Sequence, residues 1–394
     1  MRVAYVSMDA GVPVFGRKGS SIHVQEVIRA FLRLGARLEL FAACVGGDSP
    51  TGFDAVCLHC FPGYSKLNAN ERELSALAAN QNLYQSLEQG GQFDLIYERY
   101  SLWSFAAMKW ACRRDIASVL EVNAPLIEEQ AVHRSLIDRV RAEEIAIQAF
   151  ASARAIVAVS QEIANYVESF PATKGRVHVI PNGVDARRFS ARVKAALPAP
   201  DVFTIGFVGT LKPWHGLAIL VEAFQLLRRK HANTRLLIIG DGPERERLMA
   251  NLAARGLRQA AHFTGAVDPT EIPALLQSTD VAVAPYDDTP GFYFSPLKVY
   301  EYMAAGLPVV ASRVGQLESV IQHGETGLVC EPGNARSLAD NIGTLMEHQS
   351  LRRKLGRKAR RYVLRHHTWD SVVQRILNAA FPSPVHTKRL EGAG

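Results

Sequence analysis

Apolar runs of strand length alternate with amphipathic segments of helix length along almost the whole chain. In the first half, the runs at residues 3–7, 38–42, 55–58, 95–98, 119–122, 156–159 and 177–180 predict strands. Several are continuously apolar and rich in β-branched residues, as expected for strands covered on both faces. Between the first two, Val24, Val27, Ile28, Phe31 and Leu32 recur at helical spacing, and Gly35 closes that helix. The pattern then breaks at Pro181-Asn182-Gly183-Val184-Asp185 and restarts with strands at 204–208, 235–239, 262–264, 281–284 and 309–311, again with helices between, the first over 216–230. Strands separated by helices imply βαβ units and parallel sheets. The fold class is therefore α/β: two Rossmann-like, doubly wound parallel-sheet domains, residues 1–185 and 186–366, facing across a cleft. Ligands of such sheets bind outside the carboxyl ends of the strands, which directs attention to the loops there.

The length, 394 residues, suffices for two domains with separate cores. A net charge of +7 admits phosphate-bearing ligands or an anionic membrane surface. The one dense basic cluster, Arg352-Arg353-Lys354 through Arg357-Lys358 to Arg360-Arg361, has helical spacing. It reads as a solvated helix face or as a tract that meets a partner. No base-reading motif accompanies it, so nucleic acid is not an expected partner. The five cysteines are scattered and odd in number, which argues against a disulfide framework. Cys57-Leu58-His59-Cys60 is a lone CxxC without a second ligand pair and reads as the end of a strand, so no metal site is expected. The N-terminus turns polar too soon for a signal peptide, and no apolar run approaches the roughly 18 residues needed to span a bilayer. These features imply a cytoplasmic protein, with a flexible tail at 382–394.

Candidate chemistry lies in the strand-end loops. After the first strand, Gly11-Val12-Pro13-Val14-Phe15-Gly16-Arg17-Lys18-Gly19-Ser20-Ser21 leads into a helix expected near Ile22. That loop reads equally as a phosphate cradle or as an ordinary connection with a Ser N-cap. Neither GxGxxG nor GxxxxGK[ST] is present, which disfavours nicotinamide dehydrogenases and P-loop NTPases. In the second half, Gly209-Thr210-Leu211-Lys212-Pro213-Trp214-His215-Gly216 puts a Lys and a His at one strand end, and Gly240-Asp241-Gly242-Pro243 makes a tight turn at the next. Farther on, Ser295 is an expected N-cap and Pro296 the first helical residue. Lys298 and Glu301 then share a face of that helix, either as diphosphate and ribose ligands or as a surface ion pair.

Several stretches together resemble glycosyltransferase family 4, a retaining family of GT-B fold: Ile180-Pro181-Asn182-Gly183-Val184-Asp185, Phe207-Val208-Gly209, Ile239-Gly240-Asp241-Gly242-Pro243, Glu301-Tyr302-Met303-Ala304-Ala305-Gly306 and Gly324-Glu325-Thr326-Gly327. In the first half, Gly19-Ser20-Ser21-Ile22-His23-Val24, Tyr97-Glu98-Arg99-Tyr100-Ser101 and Glu121-Val122-Asn123-Ala124-Pro125 extend the likeness to nearly the whole chain. The resemblance implies sugar transfer from a nucleotide diphosphate-sugar with retention, without metal or cofactor. It places Glu301 on the donor ribose. The diphosphate would meet Lys298, the amides of Leu297 and Lys298 beside Ser295, and Gly19 and Ser20 from the opposite domain. Gly209, Thr210 and Gly240 line the same donor site, and Val267 meets the base. The final helix, 367–381, crosses back to the first domain.

Three positions depart from the family pattern. The first Glu of its paired motif falls at Tyr293. Its usual Arg and Lys fall at Thr210 and His215, leaving Lys212 as the candidate phosphate cation. A common His falls at Asn123, the remaining candidate for the catalytic set. The alternatives are a sugar-nucleotide epimerase or hydrolase on the same fold, or a silent nucleotide-sugar binding protein. The acceptor is not legible; loops at 61–66 and 126–134 are candidates to line its site, and a lipid-linked acceptor would suit peripheral contact with a membrane.

Overall fold

The structure, a computed structural model, describes residues 1–61, 68–190, 193–288 and 291–382, with the side chain of His133 excepted. Most of the 61–66 loop and nearly all of the expected tail thus lie outside the described residues. The first sheet comprises β1 (Arg2–Ser7), β2 (Arg37–Ala42), β3 (Cys57–Cys60), β4 (Leu95–Arg99), β5 (Ala117–Val122), β6 (Ala155–Ala158) and β7 (Val177–Val179). The second comprises β8 (Phe203–Val208), β9 (Thr234–Ile239), β10 (Ala261–Phe263), β11 (Val281–Ala284), β12 (Val309–Ser312) and β13 (Leu328–Cys330). The helices around the first are α1 (Gly19–Arg33), α2 (Ala69–Gly90), α3 (Ala106–Arg113), α4 (Leu126–His133), α5 (Arg139–Ser152) and α6 (Gln161–Glu168). Around the second lie α7 (Leu217–Lys230), α8 (Arg245–Ala254), α9 (Ile272–Leu276), α10 (Leu297–Ala304), α11 (Leu317–Val320), α12 (Ala335–Glu347) and α13 (Gln349–His366), and α14 (Trp369–Ala380) ends the described chain.

Strand orders are β3-β2-β1-β4-β5-β6-β7 and β10-β9-β8-β11-β12-β13, every ladder pairing being parallel. Both sheets therefore wind outward in two directions from a central pair, β1/β4 in one and β8/β11 in the other. Loops leaving the carboxyl ends of such a pair turn to opposite faces and open a crevice between them. The central strands are buried throughout, which accounts for their unbroken apolar sequences: Val3, Ala4, Tyr5 and Val6 are completely buried, as are Val281, Ala282 and Val283. The short edge strand β3 is displaced from the expected run at 55–58, because its ladder pairs Cys57 with Glu39 and His59 with Phe41. Strand β13, not predicted, is only three residues long and pairs with β12.

The last helix belongs physically to the first domain. Trp369, Val372, Val373 and Ile376 are buried in a cluster with Val24, Val27, Tyr97 and Val157. The return is pinned beside the interdomain segment, where Val184 N–H donates to His367 O at 2.8 Å and Trp369 N–H to Val184 O at 3.3 Å. A Cβ at Gly183 would lie 2.9 Å from the Trp369 nitrogen, so the two crossings are in close contact.

Candidate active site

The site begins where β8 and β9 end. Gly209 and Gly240 have φ of 144° and 132°, conformations that favour glycine. A Cβ at 240 would lie 2.2 Å from Gly209 O, and one at 209 would lie 3.0 Å from Lys298 Nζ. Gly240 therefore allows one strand-end loop to pack against the other, while Gly209 leaves room for the lysine. The tight approach at Gly240 is made by protein backbone, with Gly209 N–H donating to Ile239 O at 3.0 Å.

Lys298 Nζ sits 4.3 Å from the Phe207 ring centroid and 5.7 Å from that of Tyr286. It is shielded from solvent and has no hydrogen-bond partner. Burial pushes its pKa down to about 7, with Glu301 pulling in the opposite direction. Close by, His215 Nδ1 lies 2.7 Å from Thr210 O. A carbonyl only accepts, so Nδ1 carries the proton. Burial, reinforced by repulsion from Lys298 and Lys212, pushes the His215 pKa down to about 3, so the ring is neutral near pH 7. Both lysines thus act on one imidazole. Lys212 also lies 5.6 Å from the Trp214 ring centroid.

Glu301 is 15% exposed, and its Oε1 is 3.8 Å from Arg188 Nη1. Burial raises its pKa, against the attraction of Arg188. Arg188 Nη2 also donates to Pro269 O at 2.6 Å, on the turn that carries Val267. Val267 itself packs against the second-domain core. From the first domain, buried Glu26 senses the same arginine, and Arg17 reaches across to Asp268 at 3.5 Å.

Two helix N-termini meet here. Helix α1 begins at Gly19, earlier than the Ile22 expected, with Lys18 before it and no side-chain cap, so the serines lie inside its first turn. Helix α10 begins at Leu297 behind Pro296 and is likewise uncapped. The expected cap at Ser295 is thus corrected, as is Pro296 as the first helical residue. Ser295 is instead engaged by the interdomain segment: its hydroxyl accepts the Asn182 N–H at 3.2 Å and its carbonyl accepts Asn182 Nδ2 at 3.0 Å. A Cβ at Gly19 would be 3.9 Å from Leu297 Cδ1, which places the start of α1, with half-buried Ser20, against the start of α10. Uncapped N-terminal amides carry partial positive charge and point at whatever anion occupies the space before them.

Asn123 does not join this group through any hydrogen bond or ion pair among the described residues. It follows β5 beside Glu121, whose Oε1 is 3.1 Å from His23 Nε2 in a pair almost closed to solvent. Burial opposes the Glu121 charge, but His23, Arg99 and the Asn123 amide outweigh it and hold the pKa below the ordinary carboxylate value. Tyr293 reaches into the first domain while its ring centroid stays 4.4 Å from that of Phe294. Its hydroxyl donates to Glu129 Oε1 on α4, and its carbonyl accepts the Ser160 hydroxyl at 3.0 Å. Glu129 lies in the 126–134 segment, one of the two expected to line the acceptor side.

Sequence reasoning did not single out Arg188, Arg17 or Glu26. Arg188 follows the Asn182-Gly183-Val184-Asp185 stretch by three positions, and Arg17 stands in the glycine-rich loop; either was within reach of closer reading. Glu26 carries no local signal, because it acquires its neighbours only when the two domains meet.

Two doubly wound domains, with cations, uncapped helix ends and a buried carboxylate between them, define a GT-B-type transferase site. A family model described as Glycosyltransferase Family 4 matches residues 17–188, and one described as Glycosyl transferases group 1 matches residues 190–362. The chain is a glycosyltransferase, its first domain of the family-4 type and its second of group 1. It is 24% identical to the D-inositol 3-phosphate glycosyltransferase of Corynebacterium urealyticum, over 96% of this chain and 94% of the relative. A glycogen synthase of Mycobacterium tuberculosis is 31% identical over 52% of this chain and 48% of its own length. Among solved structures, sucrose-phosphate synthase from Thermosynechococcus elongatus superposes with a TM-score of 0.76 at 18% identity, covering 96% of this chain and 98% of that one. Anabaena HepE in complex with UDP and glucose gives 0.70 at 19%, with the same coverage. These structures share the fold.

Proposed function

We propose that this glycosyltransferase takes its sugar from a nucleoside diphosphate-sugar and transfers it with retention of anomeric configuration. The observation that carries the donor assignment is the Lys298 ammonium, shielded from water and without a hydrogen-bond partner. An unpaired buried cation is costly, and a diphosphate before the α10 amides would relieve that cost. Lys212 supplies a second positive charge, and Glu301 accepts the ribose hydroxyls. Preorganised charge of this kind acts on the leaving group: as the anomeric C–O bond breaks, negative charge grows on the diphosphate oxygen, where the amides and lysines face it. The acceptor oxygen attacks from the side of departure and forms the new C–O bond, and the diphosphate oxygen takes the acceptor's proton. No step in this scheme calls on a metal ion or on Asn123 as a base. With Tyr293 committed to Glu129, recognition of the donor-sugar hydroxyls falls to other groups.

The complex of HepE with UDP supports a uridine nucleotide as the first donor to try. All five cysteines are free, which suits a reducing compartment and agrees with a cytoplasmic location. Among the described residues no helix is long and apolar enough to cross a membrane. A peripheral contact with an anionic membrane surface is part of the same reading. Arg353, Arg357, Arg361 and Arg365, all exposed, recur every fourth residue of α13 and so share one flank of it.

The test is a thermal-shift panel of nucleoside diphosphates and their sugar conjugates, run on the wild type and on Lys298→Ala and Glu301→Ala. A ligand that binds only the folded state raises the transition temperature. The wild type should respond to one nucleotide, and both variants should lose most of that response. Equal responses in all three proteins would remove Lys298 and Glu301 from the donor site. Product analysis with the responding donor separates transfer from epimerisation, in which the nucleotide stays attached to the sugar.

A further inference from the structure

The CxxC stretch leads to a different grouping once the strand is formed. Side chains alternate across a strand, so Cys57 and His59 share one face of β3 while Leu58 and Cys60 take the other. The neighbouring strand adds Glu39, the ladder partner of Cys57. His59 Nε2 lies 3.0 Å from Glu39 Oε2 and 3.7 Å from Cys57 Sγ. One ligand atom from each of the three residues lies within 4.8 Å of the other two, and no other such trio of His, Cys, Asp or Glu occurs among the described residues.

The surroundings hold these groups in place. The His59 ring stacks on Phe41 with centroids 4.3 Å apart and planes 5° apart. Arg2 Nε donates to Glu39 Oε1 at 2.9 Å, which leaves Oε2 turned toward the imidazole. Outer partners of this sort orient metal ligands. Protons alone serve the trio poorly, because a single Nε2 cannot donate to the carboxylate and the thiol at once. A cation in place of that proton engages all three. With zinc bonds of about 2.3 Å to sulfur and about 2.0–2.2 Å to nitrogen and oxygen, tetrahedral angles put S and N about 3.6 Å apart and N and O about 3.4 Å apart. The two separations from Nε2 need changes of only a few tenths of an ångström, and Cys57 Sγ lies within 4.8 Å of the carboxylate.

We propose that Glu39, Cys57 and His59 form a site for one divalent cation of borderline softness, zinc above all, with water in the fourth position. The S, N and O donor set excludes magnesium and calcium, which take oxygen ligands. Arg2 begins β1, so the site sits toward the amino ends of the strands, away from the cleft at their carboxyl ends. The ion would clip edge strand β3 to β2 and has no part in sugar transfer.

Full-length protein, stripped with chelator and kept reduced, should bind one Zn²⁺ per chain in a calorimetric titration. Co²⁺ should produce a thiolate-to-cobalt band in the near ultraviolet. Cys57→Ser should abolish that band and the stoichiometric binding, and His59→Gln should abolish the binding. Cys60→Ser, on the opposite face, should leave both intact. Circular dichroism of each variant without metal should match the wild type, and the nucleotide-induced thermal shift should persist in Cys57→Ser. Absence of saturable binding by the wild type, or binding that survives both Cys57→Ser and His59→Gln, overturns the proposal.

Discussion

A lysine whose ammonium group is closed off from water gives up its proton easily, and this makes Lys298 a reporter of its own ligand. Its pKa in the folded protein is about 7, against 10.5 for an ordinary lysine. Between those values the unfolded chain holds more protons than the folded one, so this residue makes stability rise with pH across that window; below about 7 its penalty is complete. A bound diphosphate favours the charged form and raises the pKa again. At pH 8.5, where the nucleotide phosphates are already ionised, binding should therefore take up a proton. Calorimetry in buffers of different ionisation enthalpy measures that uptake directly. It should approach one proton in the wild type and vanish in Lys298→Met.

Among the elements, α14 and α13 bear the most distinctive loads. Trp369 opens α14, is 2% exposed and meets the His23 ring edge-on at 5.1 Å, with Glu121 beyond it. Truncating a buried aromatic of this size costs about 3–5 kcal/mol. Trp369→Ala should lower the urea midpoint of the first domain accordingly, although the residue lies after the second domain in the chain. Helix α13 carries its arginines on a flank away from Leu355, Ala359 and Val363, which are buried. If that flank rests on an anionic surface, sedimentation with phosphatidylglycerol vesicles should be strong at low ionic strength. It should fall steeply with salt and be largely lost when Arg353, Arg357 and Arg361 are replaced by Glu. Retention of binding by that triple variant would assign the contact elsewhere.

For the molecule as a whole, polar contacts across the cleft add to the return of α14 in relating the two sheets. Tyr293 donates to Glu129, Ser160 Oγ to Tyr293 O at 3.0 Å, and Gln316 Nε2 to Val159 O at 2.8 Å. Each joins residues of opposite domains. A hydrogen bond to a carboxylate is worth about 1.5–3 kcal/mol. Tyr293→Phe should weaken the closed arrangement while leaving each core intact. Hydrogen exchange should then quicken in the segments around Glu129 and Tyr293 and remain unchanged in β1 and β8. Tyr293 stands where the resembled pattern has a Glu, and here it makes a contact between domains.

How much of this was legible beforehand follows from the range of the forces involved. Local composition suffices for the alternation of strands and helices and for the break between two domains, because continuous apolar runs and helical spacing are properties of neighbouring residues. It also suffices to place Lys298 and Glu301 on one face of one helix. It failed at Ser295, which would cap a helix on local grounds but is engaged by Asn182. Nor does it contain the contact at Gly240, where the partner in close approach is the backbone of Gly209. The placement of Arg188 beside both Glu26 and Glu301, and of Tyr293 on Glu129, arises between segments remote in the chain. Sequence by itself determined the class of fold and the chemistry of a glycosyltransferase. Only the tertiary structure decided which charges share the cleft, because burial and electrostatic neighbours are set by distances that no local pattern contains.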